Sequence, residues 1–132
     1  MEIRADLSDA EREALRALWD HGPATVRSVK DLLAGRGKRW AYSTVATLLR
    51  RLEAKGYAAS ESDGGPLVYR AAVSREGLLE RRLKDAADEL CDGEAAPLVL
   101  ALVQGNRFTA EELDRFRRLI DEARKGGPPK KT

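Results

Sequence analysis

The sequence predicts a mainly α fold with a small β wing: three helices and a hairpin, then three more helices. Three observations predict it. Stripes of apolar residues three and four apart recur in five segments, the spacing of helices with one inward face. The period breaks between residues 57 and 70, around the glycine-rich run Ser62-Asp63-Gly64-Gly65-Pro66. Residues 97 to 103, reading PLVLALV, are apolar on every side yet far short of the roughly 18 residues that cross a membrane.

Each element follows in order. Ser8 with Glu11 three residues later makes a capping box, so the first helix starts there and runs to about Asp20. Leu15, Leu18 and Trp19 face inward, and His21-Gly22-Pro23 stops it. Thr25 caps a second helix with Val26, Val29, Leu32 and Leu33 as its buried stripe. A basic loop, Gly35 to Lys38, separates it from a third helix that Trp40 leads into, with Trp40 read as a core anchor. Gly56 is placed as a left-handed C-cap. Tyr57 to Glu61 and Leu67 to Arg70 then read as the strands of a β-hairpin.

Three helices followed by a hairpin make a winged helix-turn-helix, whose third helix enters a DNA major groove. In the stretch WAYSTVATLLRRLEAKG, Val45, Leu48, Leu49 and Leu52 face inward. Ser43, Thr44, Thr47, Arg50, Arg51 and Lys55 are left outside. Small hydroxyls approach bases closely, and arginines reach bases or phosphates. A solvated amphipathic helix would look the same in isolation; the surrounding elements favour the DNA reading. The wing tip carries Asp63 and no basic residue, so Arg70 at its base, with Tyr69, is the expected phosphate contact there.

Ser74 caps a fourth helix to about Asp92, with Leu79, Leu83, Ala86 and Leu90 in one stripe and Asp92-Gly93 as its stop. The all-apolar fifth helix contains Leu98, Leu100 and Leu102. Thr109 and Glu112 form a second capping box, opening a helix with Leu113, Phe116, Ile120 and Ala123 on one face. Two amphipathic helices cannot surround one that is apolar all round, whereas a second copy of the chain can. The expected organisation is therefore a DNA-binding domain at 1–72, a helical dimerisation domain at 73–125 and a disordered tail at 126–132.

Composition narrows the function. Net charge is only +2 over 132 residues, but residues 27 to 55 hold eight Arg or Lys against two acids. A basic middle beside a neutral second half suits a nucleic-acid footprint on one part only. The single cysteine, Cys91, excludes an internal disulfide, fits a reducing cytoplasm and reads as a small hydrophobe inside a helix. One histidine, one cysteine and no paired carboxylates leave no catalytic set and no metal or cofactor site.

The arrangement resembles the penicillinase-repressor family of BlaI/MecI/CopY-like regulators. The residues that carry the resemblance are Leu7 to Glu11, Leu18-Trp19, Gly22 to Val26, Trp40 to Leu52, Lys55-Gly56, Tyr69 and Val73 to Glu76. The likeness spans residues 5 to 125 and is specific over the first 75. It implies a homodimeric repressor on an inverted-repeat DNA operator, resembling regulators of β-lactamase or penicillin-binding-protein genes. It also implies signalling from a membrane sensor-protease, with cleavage in the dimerisation region at an Asn-Phe bond. Aligned on Pro97 to Leu100, that bond falls on Ala101-Leu102, a departure from the pattern. The paired C-terminal cysteines of the copper branch are absent from this sequence. Alternatives are a small-effector-responsive winged-helix regulator, for which 132 residues leave little pocket material, and an interaction module without DNA binding.

Overall fold

The computed structural model of the chain describes residues 7–126. The lead-in before Leu7 and the tail expected to be disordered, apart from Gly126, lie outside them. Six helices and a three-stranded antiparallel sheet follow in the order α1 (Asp9–His21), β1 (Ala24–Thr25), α2 (Val26–Ala34), α3 (Tyr42–Ala54), β2 (Ala58–Glu61), β3 (Val68–Ala71), α4 (Arg75–Leu90), α5 (Ala96–Gly105), α6 (Ala110–Lys125). The mainly helical fold with a β wing is as expected. The chain divides into two compact units inside α4, between Arg82 and Leu83.

Local chemistry sets the boundaries of the first unit. Ser8 Oγ accepts from the Glu11 amide at 3.1 Å, and Glu11 Oε1 accepts from the Ser8 amide at 3.0 Å, which satisfies two amides that a helix start would strand. Thr25 caps α2 in the same way, accepting from the Ser28 amide. At the end of α3 the Gly56 amide donates to Glu53 O and the Tyr57 amide to Leu52 O, with Gly56 at φ +91°. That paired bonding is a Schellman close, and only glycine takes the left-handed position without strain.

The sheet has the order β1-β3-β2, with Ala24 opposite Tyr69 and Ser60 opposite Tyr69 on the other side. β1 escapes sequence reading because two residues carry no period. Leu15, Leu18, Val29, Leu33, Leu49 and Leu52 form the core under this sheet, with Tyr57 fully buried among them. Trp40 packs against that core from its edge, as an anchor should.

The first turns of α4 belong to the same unit for identifiable reasons. Trp19 Nε1 donates to Val73 O at 2.8 Å, and the Arg75 guanidinium lies 5.2 Å over the Trp19 ring. Arg75 also pairs with Asp20 at 2.9 Å, and Arg82 donates to the Tyr57 hydroxyl at 2.9 Å. Helix α4 stops earlier than expected. It ends at Leu90, where Asp92 (φ +54°) and Gly93 (φ +84°) turn the chain left-handed. Cys91 therefore sits just past the helix, partly buried, and not inside it.

In the second unit the Thr109–Glu112 box is formed, with amide-to-side-chain bonds of 3.0 and 2.9 Å. Phe108 and Phe116 meet edge to face at 5.0 Å. No residue of α5 or α6 is buried, and Ala87 is the one buried residue of α4. Leu79, Leu83 and Leu90 stand 58%, 39% and 78% exposed.

Candidate nucleic-acid interface

Helix α3 separates its two faces cleanly. Val45, Leu48, Leu49 and Leu52 are buried, which turns Ser43, Thr44, Arg50 and Arg51 to the outside, with Thr47 half-buried beside them. Arg50 Nη2 donates to Thr47 Oγ1 at 3.2 Å. The two side chains therefore form one hydrogen-bonding unit on the outward face, one turn apart.

Lys55 does not join this group. Its Nζ donates to Glu11 Oε1 at 2.6 Å, and Glu11 is itself 2% exposed. Burial pushes the Glu11 carboxyl up. The Lys55 hydrogen bond, the Ser8 amide and the charges of Lys55 and Arg51 outweigh that, and the net direction is down from 4.5. A second cation of the basic stretch is held similarly: Arg36 pairs with Asp20 Oδ2 at 2.6 Å. Two of the eight basic side chains in residues 27–55 thus lean on acids of α1, so the exposed positive face is smaller than composition suggests.

The wing attaches through Glu53, whose Oε2 accepts from both the amide and the hydroxyl of Ser60, at 3.2 and 2.8 Å. Arg70 is exposed on β3. Tyr69, its neighbour, is 2% exposed, so the phosphate contact expected of it gives way to a core role. Alternation along a strand puts Tyr69 and Arg70 on opposite faces, and the core took the ring. Burial first, then the Glu53 carboxylate, push the Tyr69 phenol above its ordinary 10.0. At the wing tip, Ser62 Oγ donates to Gly65 O at 2.6 Å and Gly64 sits at φ +102°. A side chain at Gly64 or Gly65 would meet nothing of the chain, so the tip is open on its outer side.

A groove of about 620 Å³ runs between the start of α2, α3 and the wing, with Arg27, Tyr42, Arg50 and Leu67 among its walls. Sequence reading passed over Arg27 and Tyr42. Tyr42, Ala46 and Arg50 lie four apart and so share one helical face. That spacing was the available signal. Among the described residues no group of His, Cys, Asp and Glu could hold a metal, and no helix is long and apolar enough to cross a membrane.

The family model described as penicillinase repressor matches residues 7–122. The chain belongs to the penicillinase repressor family. Its members are transcriptional repressors and not enzymes. The transcriptional regulator BlaI of Mycobacterium tuberculosis is 32% identical over 122 residues, covering 91% of this chain and 86% of that protein. The penicillinase repressor of Bacillus licheniformis is 23% identical over 116 residues, covering 88% and 90%. Among solved structures, the DNA-binding domain of the repressor BlaI in solution is 28% identical, covers 55% of this chain and 87% of its own, and superposes with a TM-score of 0.48.

Proposed function

We propose that this repressor is a cytoplasmic homodimer that binds an inverted-repeat operator in double-stranded DNA. Residues 1–72 bind DNA and residues 73–125 hold the two copies together. One observation carries the DNA half of this reading. α3 buries its whole apolar stripe and leaves a face of hydroxyls and arginines exposed beside an open wing. Ser43, Thr44 and Thr47 read bases, Arg50, Arg51 and Arg70 hold bases or phosphates, and Arg27 and Tyr42 flank the same groove. Leu79, Leu83, Leu90, Leu98, Leu100, Leu102, Leu113, Phe116 and Ile120 supply the dimer contacts. Occupation of the operator blocks polymerase, and two tethered heads bind better than one through effective concentration.

Binding isotherms on selected and scrambled duplexes test the assignment. Thr47→Ala costs about 1–3 kcal/mol on the selected duplex and little on the scrambled one, because a base contact is lost. Arg50→Ala and Arg51→Ala weaken both, as phosphate contacts do. Unchanged affinity in all three variants removes α3 from the groove.

If the repressor is switched by proteolysis, a membrane sensor-protease pathway carries the inducing signal. The expected cut lies between Gly105 and Thr109, where residues 106–109 leave the helical pattern between α5 and α6. Mass spectrometry of repressor from induced cells checks it: intact chains under full derepression reject proteolysis, and a cut after Ala101 moves the site into α5. The effector-responsive alternative gains one observation. A groove of about 700 Å³ on the first unit is walled by Trp19, Leu78, Arg12, Arg16, Arg75 and Arg82, a size that small ligands use. Anionic effectors that change operator affinity would favour it over proteolysis.

A further inference from the structure

Glu11 is the one buried charged side chain among the described residues. Capping alone does not require that. The equivalent glutamate of the second box, Glu112, caps α6 while fully at the surface. Glu11 differs in having Lys55 across from it, 44 residues away in sequence and 2.6 Å away in space. Lys55 is the residue that closes α3, directly before the left-handed Gly56 and the buried Tyr57.

Buried ion pairs are often no more stabilising than apolar pairs of similar volume, because the charges must shed water, and here Glu11 sheds nearly all of its own. This pair supplies direction instead. Leucine and valine side chains tolerate a helix that turns or slides by a fraction of a residue. A short charge-assisted hydrogen bond holds over a narrow range of angle and distance. Each residue along a helix turns it by about 100°, so a modest rotation of α3 would carry Thr44 and Thr47 away from a base edge. The bond ties the last turn of α3 to the first turn of α1, and Arg51, one turn back, also feels the Glu11 charge.

We propose that Glu11 and Lys55 are a positioning pair: they set the rotation and axial register of α3, so that base discrimination depends on them although neither touches DNA. This rests on the reading of α3 as the DNA-binding helix.

The test begins with a duplex selected in vitro by the wild-type chain. Affinity for that duplex and for a scrambled one is then measured over a range of salt for E11Q/K55M, K55M and K55R, alongside thermal melting. The double variant removes both charges together and leaves no lone buried ion. The ratio of selected to scrambled affinity falls at least tenfold in K55M and in E11Q/K55M, with scrambled-duplex affinity and its salt slope unchanged. K55R, which keeps a cation for Glu11, restores the ratio to within about threefold of wild type. An unchanged ratio in a folded E11Q/K55M overturns the pair. So does a K55M variant that weakens both duplexes and lowers the salt slope by about one, which would make Lys55 a phosphate contact. If the wild type selects no sequence at all, the DNA reading of α3 fails first, and that result is distinct from either of these.

Discussion

The two units of this chain are built on opposite plans. The first, ending at Arg82, buries Leu15, Leu18, Val29, Leu33, Leu49 and Leu52 within itself. The second, from Leu83, buries Ala87 and leaves its valines, Ile120 and every leucine but the half-buried Leu98 exposed. Nine of the twelve exposed large hydrophobics among the described residues lie in the second unit, from Leu83 onward. Most are about half exposed, so covering each would contribute roughly half the full-burial value, on the order of 1 kcal/mol. A surface like that marks an interaction site, and the proposed occupant is a second copy of the same chain. In the proposed dimer, the first unit is finished by folding and the second by assembly.

Breaking the second unit gives the largest expected effect. Leu100→Asp puts a charge on α5, which offers an assembled pair no wet side. Sedimentation shows monomer or aggregate, and operator affinity collapses because the two heads are no longer tethered. The first unit keeps its near-native circular dichroism and its melting transition. A well-behaved dimer at micromolar concentration would show that α5 is peripheral to assembly.

The reciprocal experiment acts on the first unit alone. Leu49 is fully buried at the centre of α3, and Leu49→Ala leaves a cavity there. The expected loss is about 2–5 kcal/mol of stability, read by urea denaturation. Dimerisation at temperatures where the unit stays folded is unaffected. A dimer weakened in step with stability would show that the two units fold as one.

The same division explains what could be read in advance. Both capping boxes, the Gly56 close and the Asp92-Gly93 stop were legible because each is a local device, settled within a few residues. The outward set of Ser43, Thr44, Arg50 and Arg51 was legible because four inward residues fix the phase of α3. Long-range partners were not. Lys55 continues the basic face in phase, and nothing near it in sequence reveals a carboxylate from α1. Glu11 was already accounted for as a cap, which hid its second partner. Tyr69 failed for a different reason: a four-residue strand leaves the choice of inner face to the sheet it joins, here through a β1 too short to detect.

The smallest expected effect concerns pH, and it isolates one contact within the well-packed unit. Glu11 in the folded chain is held below its ordinary 4.5, since Lys55, the Ser8 amide and the nearby charges of Lys55 and Arg51 outweigh the cost of burial. The unfolded chain therefore binds this proton at higher pH than the folded one does. It follows that the stabilisation from Glu11 is complete above about 4.5 and is lost as pH falls from there through the lowered native value. Asp20, lowered from 3.8 by hydrogen bonds from Arg75 and Arg36, has the same sign, so the pH dependence of the wild type alone cannot separate the two. Glu11→Gln does separate them, because it deletes one titration and leaves the other. The stability gap between wild type and E11Q, measured by urea midpoints, is widest near neutrality and narrows as pH drops below about 4.5. A gap that stays constant down to about pH 3 would mean that Glu11 is not held ionised by Lys55, and the bond joining α1 to α3 would then lack its charge.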